Sequence, residues 1–172
     1  VSIFAYQGIC KRVIGKLKYR LVTQAFPDMI EAAISLGDLS QFASDEWVLV
    51  PVPLHASRHR WRGFNQAEYI AQALANYLNL EVATNLIARH KRTKPQMNLH
   101  ARQRSNNIKD AFSLNRNHSR SVITSLQSKK IVLVDDVYTT GATMKEAAKT
   151  LKRNGFGIVW ALTLARTLNP GE

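Results

Sequence analysis

Three runs in the sequence are apolar without alternation: "WVLV" at 47–50, "IVLV" at 131–134 and "IVWAL" at 158–162. A strand with one wet face alternates polar and apolar residues, so runs with no polar position belong to strands covered on both sides. Helical patterns lie between them. Ala67, Ile70, Ala71, Leu74 and Leu78 form one inward stripe, beginning near Asn65. Met144, Ala147, Ala148 and Leu151 form another, with Gly155 placed to end it. Buried strands alternating with helices predict an α/β fold, a mainly parallel sheet with helices on both faces. In such folds ligands sit beyond the carboxyl ends of the strands.

The remaining elements follow from spacing and breakers. Cys10, Val13, Ile14 and Leu17 mark a short basic amphipathic helix. A second helix is expected over 25–36, with Pro27 in its first turn and Gly37 at its end. The strand "WVLVPVP" is stopped by Pro51 and Pro53. Residues 81–88 read as a further strand, 89–110 as a polar, basic loop, and "DAFSL" at 110–114 as one arm of a short hairpin. "KIVLVDD" at 130–136 and "GIVWALTLA" at 157–165 complete the strands. The expected organisation is a single domain over 1–172, with a small helical hood over 1–40 and a core over 45–168 that carries the flexible loop 89–110.

Composition narrows the function classes. At 172 residues and 45% apolar content the chain can bury one core without staples. Cys10 is its single cysteine, which excludes an internal disulfide and a four-thiolate zinc site. A reducing, cytoplasmic setting is therefore the expectation. No apolar run approaches the roughly 20 residues of a membrane span. The chain begins with Val1, which leaves room for an upstream segment. Its formal charge is +12, from 24 Lys and Arg against 12 Asp and Glu, which favours polyanionic partners. The charge is clustered: Lys11, Arg12, Lys16, Lys18 and Arg20; then His55, Arg58, His59, Arg60 and Arg62; then the stretch from Arg89 to Arg116, where Asp110 is the one acid. The plain reading of such runs is a solvated face. The second and third fall where loops are expected, which favours anion binding.

"IVLVDDVYTTGATM" at 131–144 is the most informative stretch. A strand runs into two adjacent acids, and Thr139, Thr140, Gly141, Ala142 and Thr143 then lead into a helix. The first amides of a helix have no intrahelical partners, and its dipole favours negative charge there. Gly141 allows close backbone approach, and the threonine hydroxyls add donors. Such a turn suits a terminal phosphate. Asp135 and Asp136 suit vicinal hydroxyls or a hydrated magnesium ion. Together these describe a ribose 5-phosphate pocket. A Walker-type reading needs a G-x-x-x-x-G-K-[ST] loop, which is absent. Receiver domains carry their paired acids early in the chain, whereas only 36 residues follow Asp136. The remaining alternative is a capped helix after a strand.

This run resembles the phosphoribosyl pyrophosphate motif of type I phosphoribosyltransferases. "VPVPLHASRHRWRGFNQAEYIAQALA" at 50–75 and "RTKPQMNLHARQRSNNIKDAF" at 92–112 resemble the competence-protein ComF family, which includes competence protein F, ComFC-like and GntX-like proteins. Thr93, Gln96, Leu99, Arg104, Asn107 and Phe112 carry the second match, and "KLKYR" fits the family's basic opening. The cysteine-rich zinc module of many members is absent from this sequence, and Asp110 stands where a small residue is expected.

The resemblance implies transfer of ribose 5-phosphate from phosphoribosyl pyrophosphate to a nucleophile, with release of pyrophosphate. Tyr138, Thr139, Thr140, Gly141, Ala142 and Thr143 would hold the 5-phosphate. Asp135 and Asp136 would hold the ribose hydroxyls, and Mg²⁺ indirectly through ribose or water. The turn after Pro53 corresponds to the superfamily's pyrophosphate loop, lined by Leu54 and His55 with Arg58 and Arg62 as charge partners. Asn65 and Gln66 either cap the next helix or bind ligand, and Trp61 either anchors the loop or stacks a base. Arg89, Lys94 and Arg104 would close over the pyrophosphate, with Lys94 and Arg104 counted as catalytic beside the two acids. The ComF resemblance further implies DNA uptake in natural transformation, with single-stranded DNA and a competence helicase-type protein as partners. Two alternatives stay open: a non-catalytic nucleic-acid-binding or regulatory module that keeps the pocket, and a metabolic phosphoribosyltransferase of nucleotide salvage.

Overall fold

The computed structural model describes residues 1–17, 25–91, 107–115 and 117–168. Its centre is a five-stranded, wholly parallel sheet. In chain order its strands are β1 (Ser2–Ala5), β2 (Trp47–Pro51), β3 (Glu81–Val82), β6 (Lys130–Tyr138) and β7 (Val159–Arg166). In space they run β1-β7-β6-β2-β3. Between β3 and β6, β4 (Ile87–Arg89) and β5 (Phe112–Leu114) form a separate antiparallel pair. The helices are α1 (Gly8–Leu17), α2 (Ala25–Leu36), α3 (Ala56–Arg62), α4 (Gln66–Leu78), α5 (Arg120–Gln127) and α6 (Ala142–Arg153).

Strand parity sorts the core into two layers. Leu49, Val132, Val134, Leu162 and Leu164 pack on one face with Phe26, Ile30 and Ala33 of α2 and Ile70, Ala71 and Leu74 of α4. Val48, Val50, Ile131 and Leu133 pack on the other with Met144, Ala147 and Leu151 of α6 and with Ile87 and Phe112 of the hairpin. Successive strand residues face opposite ways, so a run with no polar position fills both layers at once. The sequence expectation of buried strands covered on both faces matches this arrangement.

Several elements differ from the sequence reading. The expected strand over 81–88 is two strands in different sheets, parted by a turn in which Asn85 has φ 61. Arg89 belongs to β4, and Ile108 is buried, so the expected loop over 89–110 is structured at both described ends. Residues 1–40 are not helical throughout: β1 lies along the edge of the main sheet, pairing Ser2 with Thr163 and Ala5 with Arg166. Helices α3 and α5 carry too few core residues to show a stripe; none of α3 is buried, and only Leu126 of α5 is. Asp110 has φ 51, a conformation that disfavours bulky side chains and that Asp tolerates better than most. That is a physical reason for expecting a small residue there.

Candidate functional site

The carboxyl ends of β2 and β6 lie side by side. Pro51 pairs with Val134, and the Val52 amide donates to the Val134 carbonyl at 2.9 Å. Strand β6 runs on to Tyr138, two residues beyond the expected end, and lifts both acids to the rim of the sheet.

The turn between β6 and α6 is built mainly by backbone. Gly141 is the N-cap of α6 with φ 72, and no side chain caps the helix. A Cβ there would stand 2.2 Å from the Tyr138 hydroxyl, so glycine is required twice, by its dihedral and by the ring lying over it. Tyr138 packs on the second core layer and sets the floor of the turn. Thr140 Oγ1 accepts from the Ala142 amide at 3.4 Å, and the Thr139 carbonyl accepts from Thr167 Oγ1 at 3.3 Å. Thr139, Thr140, Ala142 and Thr143 are all half-buried around this turn. An uncapped helix start with a glycine at its tip is an anion cradle.

The two acids see different surroundings. Asp135 lies on the side of Arg89, whose charge acts on it. Asp136 lies on the side of Tyr6 and Cys10, at the junction of β1 and α1. Burial, with Asp136 nearby, raises both the Tyr6 phenol and the Cys10 thiol above their ordinary values. Asp135 Oδ1 accepts the Asp136 amide at 2.9 Å. Burial, and then the Asp136 carboxylate, push Asp135 up to about 8, against the pull of that amide and of Arg89. Asp135 therefore favours its protonated form near neutral pH. Donors such as vicinal hydroxyls would stabilise the doubly ionised form.

The exit of β2 is built by side chains. Pro53 and Leu54 are half-buried in the coil before α3. His55 caps α3: its Nδ1 accepts the Ser57 amide at 3.2 Å and lies 2.8 Å from Ser57 Oγ. His55 thus serves as the N-cap of α3, and its Nδ1 is taken up in that role. Asn65 takes the capping role, one of the two expected for it. It is 4% exposed; Oδ1 accepts from the Ala67 amide, and Nδ2 donates to the Val52 carbonyl and to Glu68 Oε1. Its polar atoms are spent on tying α4 to the end of β2. Gln66 is 2% exposed, and its Oε1 accepts from Arg62 Nη1 at 3.0 Å, so it orients a cation from below.

Arg58, Arg62 and Arg89 form the positive wall. Arg89 is nearly buried, sits over the Phe112 ring at 5.7 Å, and is close enough to Arg58 and Asp135 to respond to both. Burial, then the Arg58 charge, lower it to about 10, which leaves it charged at neutral pH. Arg58 is lowered by burial and by Arg62. Like charges held together under partial burial favour an anion between them. Lys94 and Arg104, named from sequence as catalytic, lie outside the described residues. Trp61 is 55% exposed. Sequence reasoning did not place Tyr6 or Cys10 near the acids, because the pairing of β1 with β7 that brings them there joins residues far apart in the chain. Among the described residues no group of three or more His, Cys, Asp or Glu is placed to hold a metal, and no helix is long and apolar enough to cross a membrane.

The model of the phosphoribosyl transferase domain family matches residues 65–169, more than half of the chain. The chain belongs to that family. Its relatives place it with the ComF proteins among type I phosphoribosyltransferase-like proteins. It is 41% identical over 120 residues to the DNA utilization protein YhgH of Salmonella typhi, covering 70% of this chain and 49% of the relative. Competence protein F of Haemophilus influenzae is 36% identical over 118 residues, covering 69% and 49%. Competence protein ComFC of Bacillus subtilis is 28% identical over 157 residues, covering 90% and 58%. The chain thus spans about half the length of the curated relatives it matches. A solved purine phosphoribosyltransferase from Pyrococcus horikoshii Ot3 shares 16% identity, covering 83% of this chain and 82% of that one with a TM-score of 0.43.

Proposed function

We propose that this phosphoribosyltransferase-family chain binds Mg²⁺–phosphoribosyl pyrophosphate across the ends of β6 and β2, and acts as a phosphoribosyl-transferring protein in the handling of incoming DNA. One observation carries the reading: an uncapped helix start at Gly141, an acid pair and three arginines converge at adjacent strand ends. The three sets of groups suit three parts of one ligand, namely a terminal phosphate, a diol and a pyrophosphate.

Each group has a role in that reading. The turn from Thr139 to Thr143 holds the 5-phosphate. Asp135 and Asp136 accept hydrogen bonds from the ribose hydroxyls. Arg58, Arg62 and Arg89 receive the pyrophosphate and stabilise the charge that grows on it as the bond to C1′ lengthens. The residues present fit magnesium as a companion of the substrate: the two acids reach it through ribose or water, and phosphate oxygens supply most ligands. When bound, the ion neutralises pyrophosphate charge. The DNA context rests on the names of the relatives, a DNA utilization protein and two competence proteins.

Calorimetry of the chain with Mg²⁺–phosphoribosyl pyrophosphate tests this. Binding is expected, and Asp135→Asn with Asp136→Asn should weaken it about a hundredfold, since bonds to charged groups contribute about 1.5–3 kcal/mol each. Wild-type protein that binds no phosphoribosyl pyrophosphate, or a double variant that binds equally well, contradicts the reading. Product analysis with nucleobase and amine acceptors then separates a transferase from a module that only binds.

A further inference from the structure

Helix α6 carries an acid on the face it turns inward. Its buried positions are Met144, Glu146, Ala147, Thr150 and Leu151, and Glu146 is only 9% exposed. A buried carboxyl group costs free energy unless its oxygens are met. One of them is met from outside the helix: Oε1 accepts the Asp110 amide at 3.0 Å, across 36 residues of sequence. The other lies 3.9 Å from Lys149 Nζ, a looser contact one turn along the helix. Asp110 sits in a turn of defined shape. Its φ is 51, the Ala111 amide donates to the Ile108 carbonyl at 3.1 Å, and Ile108 and Ala111 are buried. The Asp110 side chain takes no part in the buried bond; it is 63% exposed and meets Arg153 at 3.7 Å on the surface. From this turn the chain enters β5. The Ala111 carbonyl accepts the His90 amide at 3.1 Å, and Arg89 pairs with Phe112 and sets its guanidinium over that ring at 5.7 Å. Two hydrogen bonds and one strand pair thus lead from Glu146, one turn inside the cradle helix, to Arg89.

We propose that Glu146 is a positioning residue for Arg89: it pins the base of the β4–β5 pair to α6 and so holds the arginine wall and the amide cradle in one frame. The assignment rests on the pyrophosphate reading of that wall. A ligand with a phosphate group at each end has to meet both sets of groups at one spacing, and a misplacement of about 1 Å can cost about a hundredfold. An alanine at 146 would suit the helix but offer the turn no acceptor, leaving a buried donor to be met some other way. The acid therefore serves the hairpin rather than its own helix. Asp110, the residue that stands where a smaller one is expected, contributes its backbone to this arrangement and not its charge.

Calorimetry on the full chain, comparing Mg²⁺–phosphoribosyl pyrophosphate with ribose 5-phosphate, tests the assignment. Glu146→Ala should weaken the first about tenfold and leave the second within about twofold. Glu146→Gln keeps an acceptor for the amide and should bind both ligands like wild type. Asp110→Gly keeps the amide and suits the left-handed turn, so it should bind like wild type as well. In an Arg89→Ala background, adding Glu146→Ala should change little further, because both act through one group. Equal losses of the two ligands in Glu146→Ala, no loss at all, a Glu146→Gln or Asp110→Gly variant as weak as Glu146→Ala, or losses that add to those of Arg89→Ala would overturn the proposal. Hydrogen exchange reads the same connection without ligand. The His90 amide should exchange about tenfold faster in Glu146→Ala than in Glu146→Gln, and equal rates would also overturn it. If wild type binds neither ligand while that exchange difference holds, the pocket reading falls and the placement of Arg89 by Glu146 stands.

Discussion

The two strand exits that make the site solve one problem by opposite means. After β6 the chain turns directly into α6, and the proposed binding groups are backbone amides shaped by Gly141 and floored by Tyr138. After β2 the chain takes a longer path through α3, and the proposed binding groups are arginine side chains drawn from α3 and β4. The first exit is local. The second depends on capping by His55 and Asn65 and on partners distant in sequence. A 5-phosphate that never leaves its sugar suits a fixed amide cradle, whereas a leaving pyrophosphate suits cations that adjust as charge develops.

If the β6 exit is set by backbone, Gly141→Ala should do the larger damage. Its left-handed conformation costs a non-glycine residue about 1–2 kcal/mol, and the clash with Tyr138 adds about 1–3 kcal/mol. Thermal melting should fall by roughly 5–10 °C for a chain of this size. In a Tyr138→Ala background, which has its own packing cost, adding Gly141→Ala should cost only the dihedral part; a melt unchanged by Gly141→Ala breaks the contrast. The β2 exit should respond more mildly and more selectively. Arg58→Ala is expected to weaken phosphoribosyl pyrophosphate about tenfold, the loss of one charge-assisted bond, and to leave ribose 5-phosphate within about twofold. Equal losses for the two ligands would mean that the exits do not divide the ligand in this way.

The same contrast decides what was legible in the sequence. The β6 exit could be read because each of its requirements is local: an unbroken apolar run, two adjacent acids, then small and hydroxyl residues around one glycine. The parallel sheet was legible for the same reason, since buried strands leave no polar position. The β2 exit was only half legible. Its cations could be listed, but Arg89 reaches Arg58 and Asp135 through a hairpin that pairs residues far apart in the chain. His55 and Asn65 are polar residues in a loop, where sequence leaves capping and ligand contact both open, and the structure shows both as helix caps. Residues such as these satisfy backbone groups or ligands equally well, and only the partner atoms tell the two apart. Strand β1 escaped notice because four residues at a sheet edge carry too little pattern.

The smallest expected effect concerns the acid pair. Asp135 is raised in the folded protein to about 8 from an ordinary value near 3.8. The folded state therefore holds a proton that the unfolded chain has released, and stability falls as pH rises from about 4 to about 8. Asp135→Asn should remove that downward slope from denaturation midpoints measured across the range. Half-exposure and salt will mute it. A wild-type midpoint that rises over the same interval, in a way Asp135→Asn abolishes, would reverse the sign of the argument.

The central claim is that a sugar phosphate is held by the amides between β6 and α6. A crystal structure of the chain with bound ribose 5-phosphate tests it most directly. The account predicts the phosphate at hydrogen-bond distance from amides of residues 139–143, with the sugar hydroxyls on Asp135 and Asp136. A phosphate seated on Arg58 and Arg62 instead, with the Gly141 turn closed on itself, would contradict it.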